Sequence, residues 1–394
     1  MWHCQAVTAR ILASSGAPVR QSSVRAHNLA LVLRTVANSG NPVSRAATAT
    51  ATGLTRATVS ALVDDLIAGG LLSETEPAPR TGAGRPAAGL TLAAGGPAAL
   101  GLEINVDYLA ACVVDLRGTV RHRVVEHADQ RPAGAATALA GLARLARDVL
   151  AATAPLPVAG AALAVPGLVS ANGLVRVAPN LGWHDVDAAA LLRDELGLPV
   201  TVDNEANLAA LSELRAAGTP DFVYVSGEIG IGAGIVLGGA LYRGVRGWSG
   251  EIGHIPVHPD GPPCRCGARG CLEQYAGQEA ILRAAGVRAL DQLNPAAAPA
   301  LDAAGSALGV ALAGVVNLLD LDTVVLGGAY GPLLPWLRAG IETELRRRVF
   351  TADLAPITLR AAALGSDAAM RGAADSVLRA VQADPAGYLA RVPV

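Results

Sequence analysis

Four residues near the middle of the chain have the types and spacing to hold a metal ion: His254, Cys264, Cys266 and Cys271. Thiolate sulfur and imidazole nitrogen are the donors that a tetrahedral zinc ion takes. Four protein ligands make a closed, structural site with no position left for water. Gly267 and Gly270 let the backbone turn between the cysteines. Three unrelated buried thiols would need no glycines between them. A disulfide framework is disfavoured: the chain has 394 residues, only five cysteines and no secretory signal, which points to a reducing compartment.

Elements on either side must position this cluster. The composition, 52% hydrophobic and 16% charged, fits a well-buried globular protein of two or three domains and excludes wholesale disorder. Aromatic residues make up only 3%, so alanine, leucine and valine must build the core. No uninterrupted apolar run approaches the length of about 18 residues that spans a bilayer, so a cytoplasmic protein is expected. Net charge is −2 but unevenly spread. Residues 1–90 hold eight arginines against Asp64, Asp65, Glu74 and Glu76, giving +4, and the remainder carries −6. A basic front on an acidic body suits contact with an anion such as nucleic acid.

The front end, residues 24–92, reads as a winged helix-turn-helix after a flexible tail at 1–23. Leu29, Val32, Leu33 and Val36 recur at helical spacing, and Asn38-Ser39-Gly40-Asn41-Pro42 ends that helix. Ser44 caps a short helix that stops near Gly53, and Thr55 caps a third with Val59, Leu62, Val63, Leu66 and Ile67 on one face. In a helix-turn-helix the second helix enters the major groove with its N-terminal residues toward the bases. Here those are Thr55, Arg56, Thr58 and Ser60. Two extended segments flank Gly84-Arg85-Pro86, a wing tip that would lay Arg85 into a narrow minor groove. The alternative is a helical oligomerisation domain with a proline-rich linker.

From Ala99 onward, apolar extended runs alternate with Ala/Leu-rich helical ones, the pattern of an α/β fold. Predicted strands include Leu109–Asp115, Val158–Val165, Phe222–Ser226 and Val324–Leu326. Predicted helices include Ala135–Ala151, Ala206–Leu214 and Ala304–Leu319.

The metal cluster, with Gly250-Glu251-Ile252-Gly253-His254 before it and Gly230-Ile231-Gly232-Ala233-Gly234 upstream, resembles the signature of the ROK family. That family groups bacterial sugar kinases with sugar-responsive transcription regulators. The resemblance covers roughly Leu100 to the C-terminus. It implies that residues 98–394 form a two-lobed, actin-like (ribonuclease-H-like), ATPase-type domain with a ligand cleft between lobes. Sugar contacts then fall on Asn180, Asn204, Glu205, Glu251, His254 and Glu273. Carboxylates accept hydrogen bonds from hydroxyls, and amides both donate and accept. Asn180 and Asn204 also read as turn formers, and Glu205 as a first-turn acid favoured by the helix dipole.

Two phosphate loops depart from the family pattern. Where an Asp-x-Gly-Gly-Thr loop is expected, the chain has Glu103-Ile104-Asn105-Val106-Asp107. Where Gly-Thr-Gly-Ile-Gly is expected, it has Glu228-Ile229-Gly230-Ile231-Gly232. The added carboxylates oppose a triphosphate, and Glu205 replaces the aspartate that serves the kinases as catalytic base. The resemblance therefore implies a sugar-responsive regulator, a repressor, with operator DNA and a free or phosphorylated sugar as partners. It also implies structural zinc and a homodimer or homotetramer. The competing readings are an ATP-dependent sugar kinase and a sugar-binding module whose front end binds protein.

Overall fold

The computed structural model describes residues 21–75, 88–228 and 230–391. Contacts divide the chain into two compact units, Met1–Thr91 with Gln382–Val394, and Leu92–Val381.

The first unit opens with α1 (Gln21–Asn38), which starts inside the segment assigned to the tail; residues 1–20 lie outside the described residues. Leu29, Val32, Leu33 and Val36 are all buried, as their spacing requires. In α2 (Arg45–Thr52) the Ser44 hydroxyl accepts from the Ala47 N–H at 3.1 Å, and Gly53 closes the helix at φ 73°. In α3 (Arg56–Ala68) Thr55 does the same for the Thr58 N–H at 3.1 Å. Each cap satisfies a helix-end donor that would otherwise be orphaned. Val59, Leu62, Val63 and Leu66 of α3 are buried. Arg45 ties the helices together by ion pairs to Asp64 at 2.7 Å and Glu74 at 2.9 Å. A two-stranded sheet follows, β1 (Leu72–Thr75) with β2 (Gly89–Leu92). The expected wing tip, with Arg85, lies outside the described residues.

The second unit holds two five-stranded sheets of one design. The first comprises β3 (Ala98–Ile104), β4 (Tyr108–Asp115) and β5 (Val120–His127) as an antiparallel meander. After α4 (Gly134–Thr153) comes β6 (Val158–Val165), parallel to β3. A small sheet is inserted next: β7 (Leu168–Val169), β8 (Val175–Ala178) and β9 (Trp183–Val186). Then α5 (Ala188–Leu196) leads to β10 (Val200–Asn204), parallel to β6 and completing the order β10-β6-β3-β4-β5. β3 is buried along its whole length, Glu103 included, so both of its faces are covered.

From β10 the chain passes into α6 (Glu205–Ala217) and the second sheet. Its strands are β11 (Phe222–Gly227), β12 (Ile231–Leu237), β13 (Ala240–Leu241), β14 (Thr323–Gly328) and β15 (Thr358–Ala361), in the order β13-β12-β11-β14-β15. Between β13 and β14 lie the short α7 (Glu273–Ala276), α8 (Gln278–Ala285) and the long α9 (Ala298–Leu319). Between β14 and β15 lies α10 (Tyr330–Arg348), which packs along α9. The stretch Pro295–Leu319 is long and apolar enough to cross a bilayer, but 56% of its most apolar 18-residue window is buried inside the protein, as befits a core helix. α6 lies against β12, where Gly234 leaves room for the helix: a Cβ there would stand 2.4 Å from the Cβ of Ala210. α11 (Ala368–Ala383) follows β15.

The chain ends at α12 (Pro385–Leu389), which packs on α1 and sets Leu389 against Gly69 at the end of α3. Tyr388 is buried there. The last residues thus group with the first unit, whereas the sequence reading ran the body to residue 394.

Candidate functional site

Residues from eight separate segments of the second unit line one cleft of about 200 Å³. Asn180 comes from the turn after β8, which Gly182 closes at φ 68°. Asn204 and Glu205 come from the β10–α6 junction, and Glu228 and Gly230 from the β11–β12 turn. Glu251 and His254 bracket a single 3-10 turn, and Glu273 begins α7. All six residues singled out as sugar contacts therefore face the same space.

Their chemistry differs. The Asn204 side-chain oxygen caps α6 by accepting from Ala206 N–H at 2.9 Å and Asn207 N–H at 3.2 Å. Its amide nitrogen donates to the Gly167 carbonyl and to Glu205 Oε2, both at 3.0 Å. That side chain is occupied, so Asn204 acts first as the cap that aims Glu205. Asp203 braces the same junction, accepting from Asn204 N–H at 2.8 Å and pairing with Arg243. Gly230 supplies floor: a Cβ there would sit 3.0 Å from Glu273 Oε2 and 4.0 Å from Asn180 Nδ2, filling the cleft.

Carboxylates dominate the electrostatics. Burial pushes the Glu205 carboxyl up to about 8, helped by the charges of Glu251, Glu103 and Glu228. Burial pushes Glu228 up to about 7, with Asp107 adding to the rise. Glu103, on β3, goes to about 8 through burial, against the hydrogen bond it accepts from the Tyr108 hydroxyl at 2.6 Å. Burial also raises Glu251, which the charge of His254 partly offsets.

The ligand atoms of His254, Cys264, Cys266 and Cys271 all lie within 4.8 Å of one another. Cys264 Sγ is 3.8 Å from His254 Nδ1, and Cys266 Sγ is 3.6 Å from Cys271 Sγ. None of these cysteines is in a disulfide. The four could hold a metal ion. His254 and Cys266 also line the cleft, so the cluster and the cleft share a wall.

In the first unit, Thr55 and Arg56 are exposed at the start of α3, with Thr58 and Ser60 half-buried behind them. The Thr55 hydroxyl is committed to the cap. No acidic residue stands in the first turn of α3, so its N-terminal dipole is unopposed.

A sequence model of the ROK family matches residues 99–380. The chain belongs to the ROK family. Its sequence is 28% identical to a xylose repressor of Bacillus spizizenii over 91% of this chain and 96% of that protein. The crystal structure of a ROK family transcriptional regulator, a homologue of the E. coli MLC protein, superposes with a TM-score of 0.77 at 26% identity, covering 93% of this chain and 98% of that one. A ROK glucokinase from Streptomyces griseus, solved with glucose and AMPPNP, superposes with a TM-score of 0.62 at 28% identity. It covers 71% of this chain and 98% of that one.

Within the ROK cleft the structure adds lining residues that the sequence reading did not assign to it: Pro166, Ser226 and Arg265. Arg265 was findable from its position between two cysteines of the cluster. Ser226 ends a buried strand and carries no local signal.

Proposed function

We propose that this chain is a sugar-responsive, DNA-binding transcriptional repressor of carbohydrate metabolism genes that has lost kinase activity. One observation carries the reading. Similarity to a repressor and to a regulator runs through nine-tenths of the chain, and so into the first unit, whereas the glucokinase matches 71%.

In this reading the first unit is a winged helix-turn-helix. Arg56 reaches a base edge or a phosphate, the capped start of α3 binds backbone phosphate, and Arg85 serves from the wing. Asn180, Glu205, Glu251, His254 and Glu273 hold a sugar, with Asn204 as positioning residue. The chain works in the cytoplasm as a homodimer or a tetramer built from it, since two-fold proteins read half-sites one helical turn apart. Sugar acts by binding one arrangement of the lobes better than the other.

The metal of this reading is structural zinc. A tetrahedral ion with Zn–S distances of about 2.3 Å has ligand–ligand edges of about 3.8 Å; two of the six edges here are 3.6 and 3.8 Å, and all lie within 4.8 Å. His254 turns Nδ1 toward the cluster. A metal on Nδ1 would leave Nε2 as an N–H donor for a sugar hydroxyl.

Fluorescence anisotropy with DNA from upstream of the protein's own gene tests the reading. Specific binding is expected, and one sugar should change its affinity at least tenfold. Arg56→Ala should weaken binding by about 1–3 kcal/mol if it reads a base, or lower the salt slope by about one if it meets a phosphate. Unchanged affinity and slope would remove Arg56, and absence of specific binding would remove the repressor. No sugar-dependent ATP turnover is expected, because Asp107 and Glu228 would add carboxylates to the expected phosphate loops and Glu205 replaces the catalytic aspartate. Measurable turnover would restore the kinase reading.

A further inference from the structure

The cleft continues into a narrower cavity of about 20 Å³, room for about one water-sized group. Asn105, Glu205, Ser226 and Glu228 line both spaces. The inner walls add Glu103, Tyr108, Tyr224 and the start of α11. Three carboxylates thus converge on it, Glu103, Glu205 and Glu228. Among the described residues no arginine lines it, and the chain contains no lysine.

Two of the donors at this end are committed to partners within it. The Tyr108 hydroxyl donates to Glu103 Oε1 at 2.6 Å, and Asn105 Nδ2 donates to the Tyr108 oxygen at 3.2 Å. Beside them stands an acceptor. Glu103 is 3% exposed, and among the described residues its Oε2 is buried with no hydrogen-bond partner, although the Met370 backbone also favours the ionised carboxyl. A buried oxygen left unpaired is costly, and a group that donates to it relieves that cost. A phosphate near pH 7 brings further acceptors and negative charge. Burial raises all three carboxyls, with Glu228 adding to the rise at Glu103, and Glu251, Glu103 and Glu228 to that at Glu205.

We propose that Glu103, Glu205 and Glu228 make the closed end of the cleft a donor-selecting filter: the effector presents a free hydroxyl or an ammonium there and is not phosphorylated at that position. This rests on the reading of the cleft as a sugar site and narrows the sugar to a class. Like charges about 4 Å apart, at an effective dielectric near 20, oppose one another by roughly a thousandfold in affinity. Partial protonation of the cluster reduces this, so a loss of about a hundredfold or more is expected.

Titration calorimetry on the full chain tests it, with D-xylose, D-glucose and D-glucosamine set against glucose 1-phosphate, glucose 6-phosphate and glucosamine 6-phosphate. A neutral sugar binding best identifies the hydroxyl, and glucosamine binding best the ammonium. In either case at least one phosphate regioisomer should bind about a hundredfold or more weakly than its parent. Glu228→Gln should narrow that gap about tenfold. Glu103→Gln, which still accepts from Tyr108, provides the second variant should the first fail to fold. A phosphorylated sugar that equals or exceeds its parent at both positions overturns the filter and leaves the sugar site intact, as does a gap unchanged in both variants. Binding of no sugar of either kind overturns the sugar site, and the filter with it.

Discussion

Stripping the metal from the His254–Cys264–Cys266–Cys271 cluster is expected to cost the protein its sugar response and much of the order around the cleft, while DNA binding survives. The cluster closes a segment with little other regular structure: after the single turn at Ile252–His254, no helix begins until Glu273. Isolated backbone bridges, Pro256 to Cys271 and Pro263 to Arg269, and a few loop hydrogen bonds such as Cys264 N–H to the Ala268 carbonyl support it. Structural zinc contributes apparent binding energies of about 10–16 kcal/mol in small finger peptides, so a segment held this way loses its principal constraint with the ion. Glu251 and Glu273 flank the segment, and His254 belongs to both cluster and cleft. A shift of about 1 Å in these groups forfeits the hydrogen bonds that hold a ligand. Cys271→Ser, at a fully buried position, should therefore lower sugar affinity by at least tenfold and lower the thermal transition. Elemental analysis should report about one metal ion per chain in the native protein and none in the variant. If sugar affinity and modulation of DNA binding are the same with and without metal, the cluster plays no part in the response.

What was legible in the sequence follows from the range of the interactions involved. Ser44 and Thr55 were readable as caps because a cap bonds a donor three residues away. The metal cluster was readable because three of its ligands lie within eight residues of sequence. The cleft was not readable in this way. Asn180, Glu205, Glu251 and Glu273 meet only through strand pairing across two sheets, and the ROK resemblance alone brought them together. Even then residue type could not separate roles: Asn204 reads as ligand or as turn former, and its side-chain oxygen caps α6 while its amide nitrogen holds Gly167 and Glu205. α10 was missed because Pro335 lies inside it, and proline removes a helical hydrogen bond and crowds the preceding turn. Burial of Leu333, Leu334, Leu337, Ile341 and Leu345 outweighs that local penalty. The strands β7 to β9, two to four residues long, are too short to show a period.

The carboxylates at the closed end of the cleft also fix how stability must vary with pH. In the unfolded chain Glu103, Glu205 and Glu228 titrate near 4.5, and in the folded protein near 8, 8 and 7. Between those values the folded state holds protons that the unfolded state has released. Stability falls with rising pH wherever the unfolded state binds fewer protons, so it should decline from about pH 5 to pH 8 and level off above. Each retained proton contributes a slope of about 1.4 kcal/mol per pH unit. The cause is burial reinforced by Asp107, Asp367 and Glu251, with the Tyr108 hydrogen bond opposing it at Glu103. Thermal melts should therefore show the transition of the second unit dropping by several degrees between pH 6 and pH 8. Glu103→Gln removes one titrating group but keeps an oxygen for the Tyr108 hydroxyl. It should raise the melting temperature at pH 8 and change it little at pH 5.5, so that the slope flattens by about one proton. A native profile that is flat or rises over this interval would mean that the three carboxyls are ionised in the folded protein, with a cation or a rearrangement supplying the missing charge. A Glu103→Gln profile parallel to the native one would remove Glu103 from the cause. The same protons bear on function. Ligand donation to Glu103 Oε2 replaces the stabilisation that protonation supplies, so an effector should raise the melting temperature more at pH 8 than at pH 6.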